Sequence, residues 1–162
     1  MEDLLAQIEA TNNAGYYYVA LFSALTLPDI CAALESPNGE TTGDRYINWY
    51  DHNVDSDPAT GKDIYMFRCS LLHQGRTVHP KSNFARIIFI EPGVTTNVFH
   101  NCVVKDALLI DVQLFISDLL AATRQWLVSA QNTETFKKNF AAFVARHPEG
   151  LKPYVIGMPI IG

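Results

Sequence analysis

Apolar positions recur at helical spacing over most of this chain, and only one middle segment breaks the pattern. Leu4, Leu5 and Ile8 share one face of a short helix that Asn12-Asn13 interrupts, and a second apolar, aromatic-rich segment covers residues 14–25. Thr26-Leu27-Pro28-Asp29 reads as a fresh helix start, with a capping hydroxyl, a proline in the first turn and an acid at the third position. That helix is expected to end near Glu35, at the turn sequence Ser36-Pro37-Asn38-Gly39. Tyr46, Trp49 and Tyr50, spaced i, i+3, i+4, place three aromatics on one face of a helix predicted over residues 44–52. Thr60-Gly61-Lys62-Asp63 repeats the capping pattern for a helix that should reach Gln74 and stop on a left-handed Gly75.

The segment Arg86-Ile87-Ile88-Phe89-Ile90-Glu91 is β-branched and too brief for a helix, and Pro92-Gly93 makes a turn. Residues 98–104 and 107–110 are further candidate strands, so a small β-hairpin or meander is predicted at about 86–110. Helical spacing then returns in the stripe Val112, Phe115, Ile116, Leu119, Leu120, Trp126 and Leu127, with Asp106 or Asp111 at its start. Phe136, Phe140, Phe143 and Val144 form the stripe of a final helix that His147-Pro148 terminates. The apolar tail after Gly150 reads as an extended arm for packing on its own domain or on a partner. The expectation is a mainly α-helical bundle with a small β insertion, one domain over residues 1–162, with no internal repeat.

Composition narrows the function. With 48% hydrophobic and 18% charged residues in 162, the chain can bury a full core. A net charge of −5 excludes broad electrostatic coating of nucleic acid, so any RNA contact needs a local basic cleft. Cys31, Cys69 and Cys102 are odd in number and lack C-x-x-C spacing, as expected for reduced thiols in the cytoplasm. The acidic start Met1-Glu2-Asp3 lacks the basic region of a signal peptide, and no apolar run approaches the ~18 residues of a membrane span. A cytoplasmic protein without membrane contact is therefore expected.

Candidate chemistry gathers at the end of the 61–74 helix. At about 100° per residue, Ile64, Phe67 and Leu71 define its core face, and Arg68 lies about 40° from Ile64, at the edge of that stripe. His73 lies about 140° from Arg68, so the wheel predicts that the two flank one cleft floored by Tyr65 and Cys69 without stacking on each other. An arginine cannot shed its charge, and at a core edge it requires a carboxylate, carbonyls or a bound phosphate. Either Arg68 pairs with Asp29, Asp51 or Asp63 while His73 touches free helix-end carbonyls, or Arg68 grips a phosphate while His73 moves protons.

The run Tyr65-Met66-Phe67-Arg68-Cys69-Ser70-Leu71-Leu72-His73-Gln74-Gly75 ends a helix and follows an aromatic-rich segment. Within it, Arg68 to His73 resembles the R-x4–6-H signature of the HEPN superfamily. The resemblance implies a helical bundle and a homodimer, with the Arg and His of each copy facing their symmetry mates. It implies a metal-independent endoribonuclease in stress or phage defence, needing no cofactor, with Arg68 and His73 as the catalytic pair. Tyr65, Cys69, Ser70 and Gln74 would support them. RNA would be the substrate and an antitoxin or regulatory protein a partner; other members of the superfamily are non-catalytic binding or regulatory modules. Cys69 departs from the Asn, Asp or His that often follows the arginine in active members.

Other constellations are weaker. His79, His100, Cys102 and Cys69 would have to converge from separate elements to make a four-ligand metal site. Cys69 and His73, at i and i+4, lack the glycine-rich elbow of a thiol nucleophile. Tyr16-Tyr17-Tyr18 and the Tyr46/Trp49/Tyr50 face suit core or interface anchoring, with base stacking as the alternative. Asp51 and His52 beside Trp49 are placed to line a pocket.

Overall fold

The computed structural model describes residues 1–93 and 96–162. Five helices come first: α1 (Glu2–Asn13), α2 (Tyr17–Ala24), α3 (Leu27–Glu35), α4 (Gly43–Asn53) and α5 (Gly61–Gln74). A small sheet follows, from β1 (Arg86–Ile90), β2 (Cys102–Val104) and β3 (Ala107–Asp111). The long α6 (Val112–Ala130) and the short α7 (Glu134–Phe140) complete the bundle. The fold is mainly α with a small β insertion, as the periodicity predicts.

Helix α6 is the axis of the bundle. Its whole predicted stripe from Val112 to Leu127 is buried, and the Asp111 carboxylate caps it by accepting the Leu114 N–H at 3.0 Å. Leu5, Leu21, Leu25, Leu27, Trp49, Ile64 and Phe67 converge on this stripe from α1 to α5 and join one continuous apolar core. Tyr46, Trp49 and Tyr50 are all buried, so the aromatic face of α4 is core. Trp126 meets Trp49 edge-on, with centroids 6.0 Å apart, and donates its Nε1–H to Glu35 at 2.9 Å. Asn139 on α7 donates to the carbonyls of Ala33, Leu34 and Ser36, closing the C-terminal end of α3.

Three local expectations change. Thr26 does not cap α3: its hydroxyl donates back to Ser23 O at 2.7 Å and the capping box does not form. The final helix stops at Phe140; Phe143 still stacks on Phe140, with centroids 5.1 Å apart, but from a turn beyond the helix end. His147 therefore lies in a strand and terminates no helix.

The β insertion is a mixed sheet of order β1-β3-β2. β2 and β3 form a hairpin over Lys105-Asp106, with Lys105 in the left-handed region (φ 58°), and β1 runs parallel to β3 in the register Arg86↔Ala107 to Ile90↔Asp111. The middle strand predicted at 98–104 is confined to Cys102–Val104. Residues 94 and 95 of the predicted insertion lie outside the described residues.

The tail is a β-hairpin. β4 (Arg146–His147) pairs with β7 (Ile160–Ile161), and β5 (Gly150–Leu151) pairs with β6 (Val155–Ile156), both antiparallel. Among the described residues, Tyr17–Glu35 is one stretch long and apolar enough for a bilayer, which corrects the expectation from the sequence. Half of it is buried in the fold, and the turn between α2 and α3 divides it.

Candidate functional site

Helix α5 is pinned at both ends, and this places the site. At its start, Thr60 Oγ1 accepts the Asp63 N–H at 3.3 Å, and Asp63 Oδ2 accepts the Thr60 N–H at 3.2 Å. Asp63 is fully buried and also accepts from Ser82 Oγ, Asn83 N and Asn83 Nδ2, tying the 82–83 loop to the helix. Burial pushes the Asp63 carboxyl up. The Asn83 backbone N–H, Thr60 and the Asn83 amide outweigh that and hold it below the usual carboxylate value. At the other end, Gly75 (φ 64°) donates to Leu71 O at 2.9 Å and Arg76 donates to Ser70 O at 3.1 Å, a backbone closure that satisfies the last carbonyls.

That closure releases His73 from capping. Its ring turns back along the helix, and Nε2 lies 3.3 Å from Arg68 Nη1. The two side chains therefore touch, where the wheel predicts only a shared cleft: the wheel gives the direction of each Cα–Cβ bond, and the long arginine chain spans the 140° between them. A guanidinium has donors only, so in this contact Nε2 is the accepting, unprotonated ring nitrogen.

The other arm of the guanidinium meets α3. Arg68 Nη2 lies 2.7 Å from Asp29 Oδ2, with the side chains 20% and 15% exposed. The contact is a close ion pair without hydrogen-bond alignment, and Asp29 Oδ2 and Arg68 Nε both remain without a directed partner. Burial lifts the Asp29 carboxyl above its ordinary value, and Arg68 and His73 pull it back only in part. Of the three candidate acids, Asp29 is the partner: Asp51 accepts the Gly61 N–H and Asp63 belongs to the capping box.

The remaining predicted residues divide. Tyr65 and Cys69 are half-buried beside Arg68. Tyr65 leans on Tyr46, with centroids 5.2 Å apart, and its ring lies against Gly43, where a Cβ would come within 2.9 Å. Gln74 is exposed in the last turn, whereas Ser70 is buried on the opposite face of α5 and is not brought to Arg68. Tyr46 was read only as a core aromatic, yet it forms the inner wall behind Arg68 and donates its hydroxyl to Leu25 O at 3.3 Å. Its i, i+4 relation to Tyr50 was legible, but no sequence signal points it toward α5.

The composite metal set is not assembled: among the described residues no three His, Cys, Asp or Glu side chains are grouped to hold an ion. His100 instead contacts Asp118 on α6 at 3.2 Å. His52 lines a cavity with Asn48, Trp49 and Trp126, while Asp51 turns away to Gly61. A separate apolar groove of about 370 Å³ runs between α2, β1 and the end of α5. No protein family, no curated protein sequence and no solved structure matches this chain.

Proposed function

We propose that the chain is a metal-independent endoribonuclease of the HEPN type, with Arg68 and His73 as its catalytic pair. The observation that carries this reading is the 3.3 Å contact between Arg68 Nη1 and the unprotonated Nε2 of His73, at a helix end whose carbonyls are already satisfied. A permanent cation beside a basic imidazole is what cleavage through the 2′-hydroxyl requires. His73 Nε2 takes the 2′-OH proton, the 2′-oxygen attacks phosphorus, and the P–O5′ bond breaks. Arg68 steadies the non-bridging oxygens, and a protonated imidazole returns a proton to O5′. In a homodimer that second imidazole is His73 of the other copy. RNA is the substrate in this reading, stress or phage defence the setting, and an antitoxin-like protein the natural restraint.

A second reading is favoured by the Arg68–Asp29 pair. If Asp29 holds Arg68 permanently, the chain is a non-catalytic binding or regulatory module in which Arg68 is structural. Cleavage of single-stranded RNA in EDTA separates the two, comparing wild type with Arg68→Ala, His73→Ala and Asp29→Asn. The nuclease reading expects each alanine variant to lose ~10²-fold or more in rate, the contribution of a proton-transfer or charge-stabilising group, while Asp29→Asn keeps activity. Equal rates in all four proteins would remove it.

A further inference from the structure

The chain exposes more surface than its mass requires. A compact monomer of this size shows about 8,100 Å², whereas this 18.1 kDa chain shows 9538 Å². Most of its large exposed apolar side chains fall in two places.

The first is the C-terminal hairpin. Ala145 and Gly162 exchange backbone hydrogen bonds at its root, and the root rests on α1, where Met1, Leu4 and Gln7 meet Phe143, Val144 and Ile161. Beyond the root, Tyr154 is 83% exposed, Ile156 65% and Ile161 77%. A lone two-stranded ribbon is marginal in water and needs a further strand or an apolar surface to hold its shape. Gly150 (φ 88°) lets the ribbon close tightly, because a Cβ there would strike the Val155 carbonyl. The strand β5 pairs only with β6, so its outer edge is open.

The second place is the groove of about 370 Å³. Tyr18 and Phe22 of α2 form one wall, Phe67 of α5 the other, and Ile87 and Phe89 of β1 the floor. β1 is an outer strand of its sheet. On its free side, the backbone bond seen among the described residues runs from Ile87 N–H to Thr77 O. The groove therefore offers an open strand edge beside an apolar trough, the geometry that takes an added strand. Arg86 and Glu91 stand at its two ends. The arm carries the opposite order, Glu149 before Lys152, so a parallel addition sets unlike charges side by side.

We propose that the C-terminal hairpin of one copy adds to the β1 edge of a second copy, with its apolar side chains in the groove, and that the exchange is reciprocal. Covering half of the surplus surface on each of two copies removes roughly 1,400 Å² in total, inside the ~1,200–2,000 Å² of a stable specific interface. Neither Arg68 nor His73 lines the groove, so the inference stands apart from the nuclease reading.

Sedimentation equilibrium of the full chain tests it, with Ile156→Asp in the arm and Tyr18→Glu, at an 80% exposed position, in the groove. Wild type is expected at twice 18.1 kDa and each variant at 18.1 kDa, with far-UV circular dichroism showing both folded. An equimolar mixture of the two variants regains dimer, because each mixed pair keeps one intact arm and one intact groove. A photo-reactive side chain at position 154 should capture residues 86–91 of the other copy. A monomeric wild type overturns the proposal, including one that dimerises only with a different protein. So does a dimer that survives both substitutions, or a cross-link that lands elsewhere.

Discussion

Replacing Asp63 by asparagine tests the claim that this carboxylate sets the position of α5. Its Oδ2 faces Thr60 N at 3.2 Å, Thr60 Oγ1 at 2.8 Å and Asn83 Nδ2 at 3.1 Å, and its Oδ1 faces Asn83 N at 2.7 Å and Ser82 Oγ at 3.1 Å. An asparagine must point its NH2 at one of these sets. If the NH2 replaces Oδ2, the Thr60 N–H and the Asn83 amide lose their acceptor; if it replaces Oδ1, the Asn83 N–H does. The hydroxyls can rotate to accept, but the N–H groups cannot. A broken helix cap costs about 1 kcal/mol and an orphaned buried donor about 1–3, so Asp63→Asn should lose about 2–4 kcal/mol. Urea unfolding at pH 7, followed by tryptophan fluorescence, measures it. The pH dependence gives a second check with a definite sign. The folded-state pKa of Asp63 lies below its unfolded value, so its contribution is present above ~pH 3.9 and fades as pH falls through the folded value. The difference in stability between wild type and variant should therefore shrink on acidification. A loss below about 1 kcal/mol, or a difference that stays constant from ~pH 6 to ~pH 3, would refute the reasoning.

Asp29→Asn should show the opposite pH trend. The folded-state pKa of Asp29 is raised, so the native state binds more protons than the unfolded chain between the two values. Wild type then gains stability relative to the asparagine variant as pH falls through that window, which parallel urea titrations will show. Leu119→Ala removes a fully buried side chain of α6 and should cost about 2–5 kcal/mol in the same assay. Gly75→Ala forces a Cβ into a left-handed position with nothing within 4 Å to strike, so it should cost only the conformational ~1–2 kcal/mol. Trp126→Phe keeps the edge-on contact with Trp49 but removes the hydrogen bond to Glu35, and a loss of about 1 kcal/mol in thermal unfolding is expected.

The bundle was legible because its largest helices bury wide stripes. The α6 stripe and the aromatic face of α4 could be read residue by residue, since nothing competes with burial at those positions. Capping was legible only where the acid had no other suitor. Thr60 and Asp63 close their box because the Ser82–Asn83 loop adds donors to the same carboxylate. Thr26 and Asp29 have the same spacing, but Asp29 meets Arg68 from α5 and the box fails. A contact made across 39 positions of sequence leaves no local mark. The parallel pairing of β1 with β3 was hidden for a related reason: short strands separated by turns suggest neighbours in order, and the partner is decided by the crossover.

The same competition governs the candidate site. Sequence spacing located Arg68 and His73 on one helix end and named three acids, without ranking them. The ranking follows from what else each acid must do: Asp51 serves the first N–H of α5, Asp63 serves its cap and a loop, and Asp29 is left to the guanidinium. Arg68 is then shared between a carboxylate and an imidazole, and any phosphate that approaches competes with Asp29 for Nη2. Because burial already disfavours the Asp29 anion, that competition is closer than an exposed aspartate would allow. A phosphate that displaces Asp29 meets the cation with His73 Nε2 beside it; one that fails to displace Asp29 finds a neutral ion pair. The strength of the Arg68–Asp29 contact is therefore the quantity on which a catalytic and a purely structural Arg68 diverge, and Asp29→Asn shifts it while leaving both Arg68 and His73 in place.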